Sequence, residues 1–325
     1  MDSSLEKAQR ARAGVQIAVW NESSTWLGPL REYARISNAI RAGVCPEPLK
    51  TDSEADSKLS GRAETRGDSG ADEAAASSID RRIRFLGWEI ATLIETRRAC
   101  ANSSSELLNT IFFQELGFTI CEESTFRRLD GAGALFETVL ARRTGPPTLI
   151  AMLYAWVGEI VGRAYGESSD FVRIEIIHSA PTEVVRVIPH EDRGTIWLVN
   201  LLGGQRVDEE VWSDWIVSSS PHGFAKLTWV QGLVRSLTEL FKLLEKSSNL
   251  SLDLLSAELF ILDQIISLQP SETSRWAERA MLNTRRGDRA SALDDLKRFF
   301  AFHERASAPA AIVSLFNELR GHDLN

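Results

Sequence analysis

The stretch Ala141-Arg142-Arg143-Thr144-Gly145-Pro146-Pro147-Thr148, running straight into residues 149–161, decides how this chain is read. A Gly-Pro-Pro run cannot lie inside a helix, because each proline lacks an N–H and restricts the residue before it. Thr148 can then cap a helix expected to begin at Leu149. From Leu149 to Gly158 the sequence carries no charge and is apolar nearly all round, the pattern of a helix buried on most sides. A membrane span needs roughly 20 apolar residues, and this run is broken at Glu159 and Arg163. It is read as the core helix of a soluble domain, with helices before it and a sheet and more helices after.

Composition narrows the function classes. A net charge of −8 and a pI near 5.3, with no Lys/Arg cluster of the kind that neutralises phosphates, argue against nucleic acid or an anionic membrane as partner. Cys45, Cys100 and Cys121 have neither paired nor metal-ligand spacing. No metal or cofactor is therefore expected, and the cysteines point to a reducing compartment. Met1-Asp2-Ser3-Ser4-Leu5-Glu6 has no basic or apolar leader pattern. A cytoplasmic protein is expected. At 325 residues, 43% of them hydrophobic, the chain is long enough for two or three units.

Residues 1–45 read as an N-terminal arm of two short amphipathic helices, the second starting near Pro29. Residues 46–78 hold only Leu49 and Leu59 as large apolar residues, and are expected to form a flexible linker. Helical periodicity returns over 79–101, through Ile83, Leu86, Ile90 and Ile94. It recurs from Ser104 or Ser105 to Leu116, ended by Gly117, and again over 134–142. Beyond the core helix the period changes to two. Residues 172–178, 183–189 and 195–201 are β-branched, short and separated by turn residues, as in an antiparallel meander closed by Gly203-Gly204. A domain is thus expected over 79–229, its tail from Trp212 irregular.

From residue 230 to the end the pattern is helical. Trp276, Ala280, Gly287, Ala292, Leu296 and Phe299 fall where a tetratricopeptide repeat places its large, small and turn residues. A single repeat cannot stand alone, so the helices over 230–246 and 250–268 must cover it. Asp294-Asp295 reads as a solvated pair. Arg275, Arg279, Arg285 and Arg286 form a local basic cluster in an acidic chain, able to receive an acidic or carboxyl-terminal segment of a protein partner.

The order of motifs from Leu107-Leu108-Asn109, Phe112 and Glu115-Leu116-Gly117-Phe118 to Arg142-Arg143-Thr144-Gly145-Pro146-Pro147 resembles the SirB-type branch of the transglutaminase-like superfamily. The resemblance spans roughly residues 79–319 and includes the C-terminal tetratricopeptide-like helices. It implies an α+β, mostly helical protein with a papain- or transglutaminase-like core, a buried helix against a small antiparallel sheet. In the wider superfamily a cysteine opens the core helix, with a histidine and an aspartate on successive strands. Carried over, these positions fall on Thr148, Glu183 and Asn200. The branch commonly lacks the cysteine already, so only the other two losses are peculiar to this chain.

Threonine and asparagine can hydrogen-bond but cannot supply a thiolate or an imidazole base. The resemblance therefore implies a non-catalytic protein, acting as an interaction or regulatory module. The alternative is a thiol-dependent amidase or protease using Cys121 with His178. Their separate residues read more simply as a small half-buried hydrophobe and a strand-end polar group. His178 and Glu183 are five positions apart, which in one continuous strand would put them on opposite faces. His190 and His222 read as solvated turn residues.

Overall fold

A computed structural model describes residues 26–42, 69–101, 104–121, 131–164, 172–179, 182–189, 197–201, 203–207, 225–245 and 254–322. The expected first N-terminal helix, the linker up to residue 68, His190 and His222 lie outside them. The chain divides into two units, one within Met1–Asn38 and Asp68–Ser236, the other within Ala39–Gly67 and Leu237–Asn325. The expected boundary at 229/230 thus moves into a helix, Trp229–Glu245, that starts in the first unit and ends in the second.

In the first unit, α1 (Leu27–Ala42) carries Pro29 in its first turn, where a missing N–H costs nothing. It is no separate arm: up to Asn38 it belongs to this unit. Tyr33 donates its hydroxyl to the Ala134 carbonyl at 2.8 Å, and Ser37 Oγ accepts from the Phe136 amide at 2.8 Å. Helix α2 (Ser69–Arg97) begins ten residues before the expected start, because Ala71, Ala74, Ala75 and Ala76 favour helix without needing a buried stripe. Residues 69–78 are therefore helix and not linker.

Helix α3 (Ser104–Asn109) continues as a π-helical turn, Thr110–Glu115, sealed by the Leu116 amide on the Ile111 carbonyl at 2.8 Å. Strand β1 (Thr119–Ile120), α4 (Gly131–Ala134), α5 (Phe136–Arg142) and β2 (Thr144–Gly145) lead to the core helix α6 (Pro147–Ala164). Ser37 supplies the side-chain cap that Leu135 cannot give α5.

Every residue of α6 from Thr148 to Gly158 is buried. Helices α2 and α3 pack on it, as do β3 (Val172–Ser179) and β4 (Thr182–Pro189). The approach is close at Gly158, where a Cβ would stand 2.0 Å from Ile174 Cδ1 and 3.1 Å from Leu108 Cδ2. Strands β3, β4 and β5 (Trp197–Asn200) form the expected meander, and β6 (Gln205–Val207) and β7 (Ala225–Lys226) extend it on opposite edges in the order β6-β5-β4-β3-β7. Strand β7 lies within the stretch read as irregular; two residues are too short for a period-two signal. Gly203-Gly204 is the β5–β6 turn. Gly204 sits at φ +70, its Cα facing the Phe113 ring so closely that a Cβ would be 2.2 Å from Cδ2, so both backbone and space demand glycine.

Helix α7 (Trp229–Glu245) is followed in the second unit by α8 (Leu254–Leu268), α9 (Ser274–Arg286), α10 (Arg289–Phe302) and α11 (Ala310–His322), with α8 through α11 each packed on the next. Trp276, Ala280, Ala292, Leu296 and Phe299 join Ile312, Phe316 and Leu319 in one core. Gly287 ends α9 at φ +85 and its amide bonds the Thr284 carbonyl at 3.0 Å, the turn expected from the sequence.

Asp288 caps α10 by accepting from the Ser291 amide at 3.1 Å and the Ser291 hydroxyl at 2.8 Å. Partial burial works against its charge, but the Ser291 bonds and then Arg286 outweigh this and hold the carboxyl below the usual aspartate range. The lowered folded value means that the cap stabilises above the ordinary aspartate pKa and is lost as pH falls through the folded one. Asp288→Ala is expected to cost about 0.5–2 kcal/mol near neutral pH. Urea titrations at descending pH should show the gap between wild type and variant closing in the acid range.

Candidate functional site

Strands β1 and β2 are only two residues each, yet they fix the geometry around the start of the core helix. They pair in parallel, Thr119 with Thr144 and Ile120 with Gly145. The Cys121 amide bonds the Gly145 carbonyl at 3.3 Å, and the Ile120 amide turns the other way to the Leu201 carbonyl at 3.2 Å. One extended segment thus ties the entry of α6 to the end of β5. Gly145 is required here because a Cβ would meet both Val139 methyls at 2.8 Å.

The sheet brings the other positions to the same end. Ile176 pairs with Val185, and Val185 with Val199, so these three form one row across β3, β4 and β5. Two residues further toward the β3–β4 turn, His178 pairs directly with Glu183. Leu201, two residues beyond Val199, is where β1 attaches. From the Gly158–Ile174 contact, Thr148 lies about 15 Å back along α6 and His178 about 13 Å along β3. Thr148, Glu183 and Cys121 therefore lie at one end of the sheet; Asn200 is at the same end, but strand alternation puts it beside Leu198 and Ile177 on the face opposite Glu183.

Two details differ from expectation. Helix α6 begins at Pro147, and the Ile150 amide bonds the Pro146 carbonyl at 3.0 Å. Thr148 is thus a residue of the first turn and not its cap, since proline suits the first helical position; it is 0% exposed. His178 and Glu183 are strand partners across the hairpin expected between 172–178 and 183–189, and that turn reverses the odd-separation argument, which holds for one continuous strand. Directly opposed positions of an antiparallel pair lie on the same face.

Cys121 is 5% exposed. Burial pushes its thiol up, with Arg142 pulling only partly the other way, which is the reverse of an activated nucleophile. The Asn200 carbonyl accepts from the Gly204 amide at 2.8 Å and closes the β5–β6 turn.

The motif residues before α6 have structural work. Tyr154 of α6 donates to Asn109 Oδ1 at 2.5 Å and stacks edge-on with Phe112, centroids 5.0 Å apart. Burial pushes its phenol far up, so it stays a donor. Arg143 holds φ 57 at the end of α5, bonds Glu89 at 3.0 Å and lies 4.9 Å over the Phe118 ring.

The basic cluster of the second unit is rearranged relative to the sequence reading. Arg279 is 9% exposed; it bonds Asp263 and makes a forked pair with Asp295, Nη2 to Oδ1 at 2.6 Å and Nε to Oδ2 at 3.0 Å. Asn283 adds a bond to Asp295 at 3.1 Å. Asp295 is 2% exposed, contrary to the solvated pair expected; Asp294 does face solvent. Burial disfavours the charge on Arg279, but the two aspartates more than offset it and raise its pKa. Burial also pushes Asp263 up against the pull of Arg279, since two carboxylates share one guanidinium. The sequence does hold a signal for this network: Asp263 interrupts the apolar run of α8 and so needs a cation. Arg275 bonds Glu278 at 2.8 Å, Arg286 bonds Asp288 at 3.2 Å, and Arg285 reaches Glu258 at 3.7 Å.

Residues 77–222, somewhat under half of the chain, match the profile described as transglutaminase-like superfamily. That stretch runs from within α2 through β6, contains Cys121, Thr148, Glu183 and Asn200, and is a transglutaminase-like domain. No curated protein matches the chain. Among the described residues no helix is long and apolar enough to cross a membrane, and no group of three or more His, Cys, Asp or Glu could hold a metal ion.

Removing the buried guanidinium should be far more damaging than its sequence position implies. Arg279→Met leaves Asp263 and Asp295 without their cation and is expected to cost about 3–5 kcal/mol. Denaturant unfolding of the variant tests this; a loss below 1 kcal/mol, as for a surface arginine, would contradict the network.

Proposed function

We propose that this is a non-catalytic, SirB-type transglutaminase-like protein, a cytoplasmic interaction or regulatory module whose C-terminal helices are tetratricopeptide-like. The observation that carries the reading is the content of the convergent end. A buried threonine stands at the opening of the core helix, and the resemblance carries the base and acid positions onto Glu183 and Asn200, which lie on opposite faces of the sheet. Such a set can hydrogen-bond but cannot make a thiolate or take a proton as imidazole does.

The second reading, a thiol-dependent amidase using Cys121 with His178, is kept by one observation: Cys121 adjoins the entry of the core helix through its bond to Gly145. Its burial and raised pKa weigh against it. Site-resolved alkylation of the full chain with iodoacetamide separates the two. Exposed Cys100 should react faster than Cys121 at neutral pH, and Cys121 should catch up only as pH rises, because its thiol ionises later. Faster labelling of Cys121 than of Cys100, with an amide turnover abolished by Cys121→Ser, would establish the enzyme instead.

The partner proposed is a protein offering an acidic or carboxyl-terminal segment, received by guanidinium groups of α9. Arg279 is a strut between aspartates and drops out of that surface. Arg275, Arg285 and Arg286 remain. Arg285→Gln with Arg286→Gln should lower binding of an acidic peptide such as oligoglutamate several-fold, read by fluorescence anisotropy, and unchanged binding would move the partner surface elsewhere.

A further inference from the structure

A groove of about 340 Å³ lies between α2 and the end of α5 in the first unit, and neither Thr148 nor Cys121 lines it. Its volume is at the small end of ligand sites, which run from roughly 300 to 1,000 Å³. Leu86 and Leu140 give it an apolar floor, and Phe85 stands along it 62% exposed, an aromatic side chain left in solvent with Trp88 tilted against it at 5.9 Å. The two ends differ in charge. At one lip, Arg81 has no ion-pair partner among the described residues, and exposed Arg82 reaches Glu137 only at 3.4 Å. At the other end, Arg143 is neutralised by Glu89 and capped by the Phe118 ring. From Arg81 to Glu89 the helix rises about 12 Å.

We propose that this groove binds a small monocarboxylate with an aromatic or alkyl body. The acid lies against Arg81 and Arg82, where planar guanidinium donors match a carboxylate. The apolar body covers Leu86 and Leu140 against Phe85. Glu89 fixes the direction, because its carboxylate would repel an acid placed at the closed end. The length of the helix face sets the size, a body of no more than about 12 Å. The site does not depend on whether the convergent end is catalytic, and its test is independent of Cys121.

Isothermal titration of the full chain with 4-phenylbutyrate reads it directly. Saturable one-to-one binding is expected, with neutral 4-phenylbutanol at least about tenfold weaker. Arg81→Gln with Arg82→Gln should weaken the acid at least about tenfold and leave the alcohol unchanged, while Phe85→Ser should weaken both. All three side chains are on the surface, so the variants retain the fold. No saturable heat up to on the order of 10 mM, or an acid affinity untouched by the double substitution, overturns the site.

Discussion

The transglutaminase-like domain is organised by the need to keep water off helix α6. From Leu149 to Gly158 it offers no polar side chain except the tyrosine hydroxyl and the tryptophan N–H, so no face of it can be left to solvent at low cost. Helices α2 and α3 and strands β3 and β4 supply the cover. The absence of a side chain at Gly158 lets Ile174 and Leu108 close on it. Tyr154 turns its one polar atom to Asn109, which explains why an asparagine interrupts the apolar residues of α3. Substituting any of these partners leaves either a void or an orphaned hydroxyl in the same core.

That packing also positions the residues around the entry of the core helix. The tie of β1 to both Gly145 and Leu201 holds the entry of α6 against the end of the sheet. The register of β3, β4 and β5 then decides which residues come to that end. The scaffold brings Thr148 and Glu183 to one end, while Asn200 lies there on the opposite face of the sheet. Thr148, Glu183 and Asn200 all have hydrogen-bonding side chains. Cys121 is close in the chain path but sits in surroundings that favour its neutral thiol.

The second unit meets a different constraint, a buried cation. Arg279 is shared between Asp263 and Asp295, with Asn283 satisfying a further lone pair and Trp276 lying 4.8 Å under the guanidinium. Three helices, α8, α9 and α10, are thereby locked at one point by groups that cannot be left unpaired. An arginine that the sequence presents as one of a basic cluster is in this way part of the core.

The sequence by itself determined the elements whose signal is local. Gly145-Pro146-Pro147 set the start of the core helix to within two residues, and its uncharged run gave its burial. The alternation over 172–200 gave the three meander strands, and Gly287 the turn between α9 and α10. The motif order pointed to a transglutaminase-like domain, expected over 79–229 and matched at 77–222. What needed the tertiary structure was every relation between residues distant in the chain. The attachment of β1 at Leu201, the docking of Tyr33 and Ser37 on residues 134–136 and the burial of Asp295 leave no local periodicity to read. They follow from strand register and from which face of each helix finds a neighbour, and those are settled only when the long-range contacts form together.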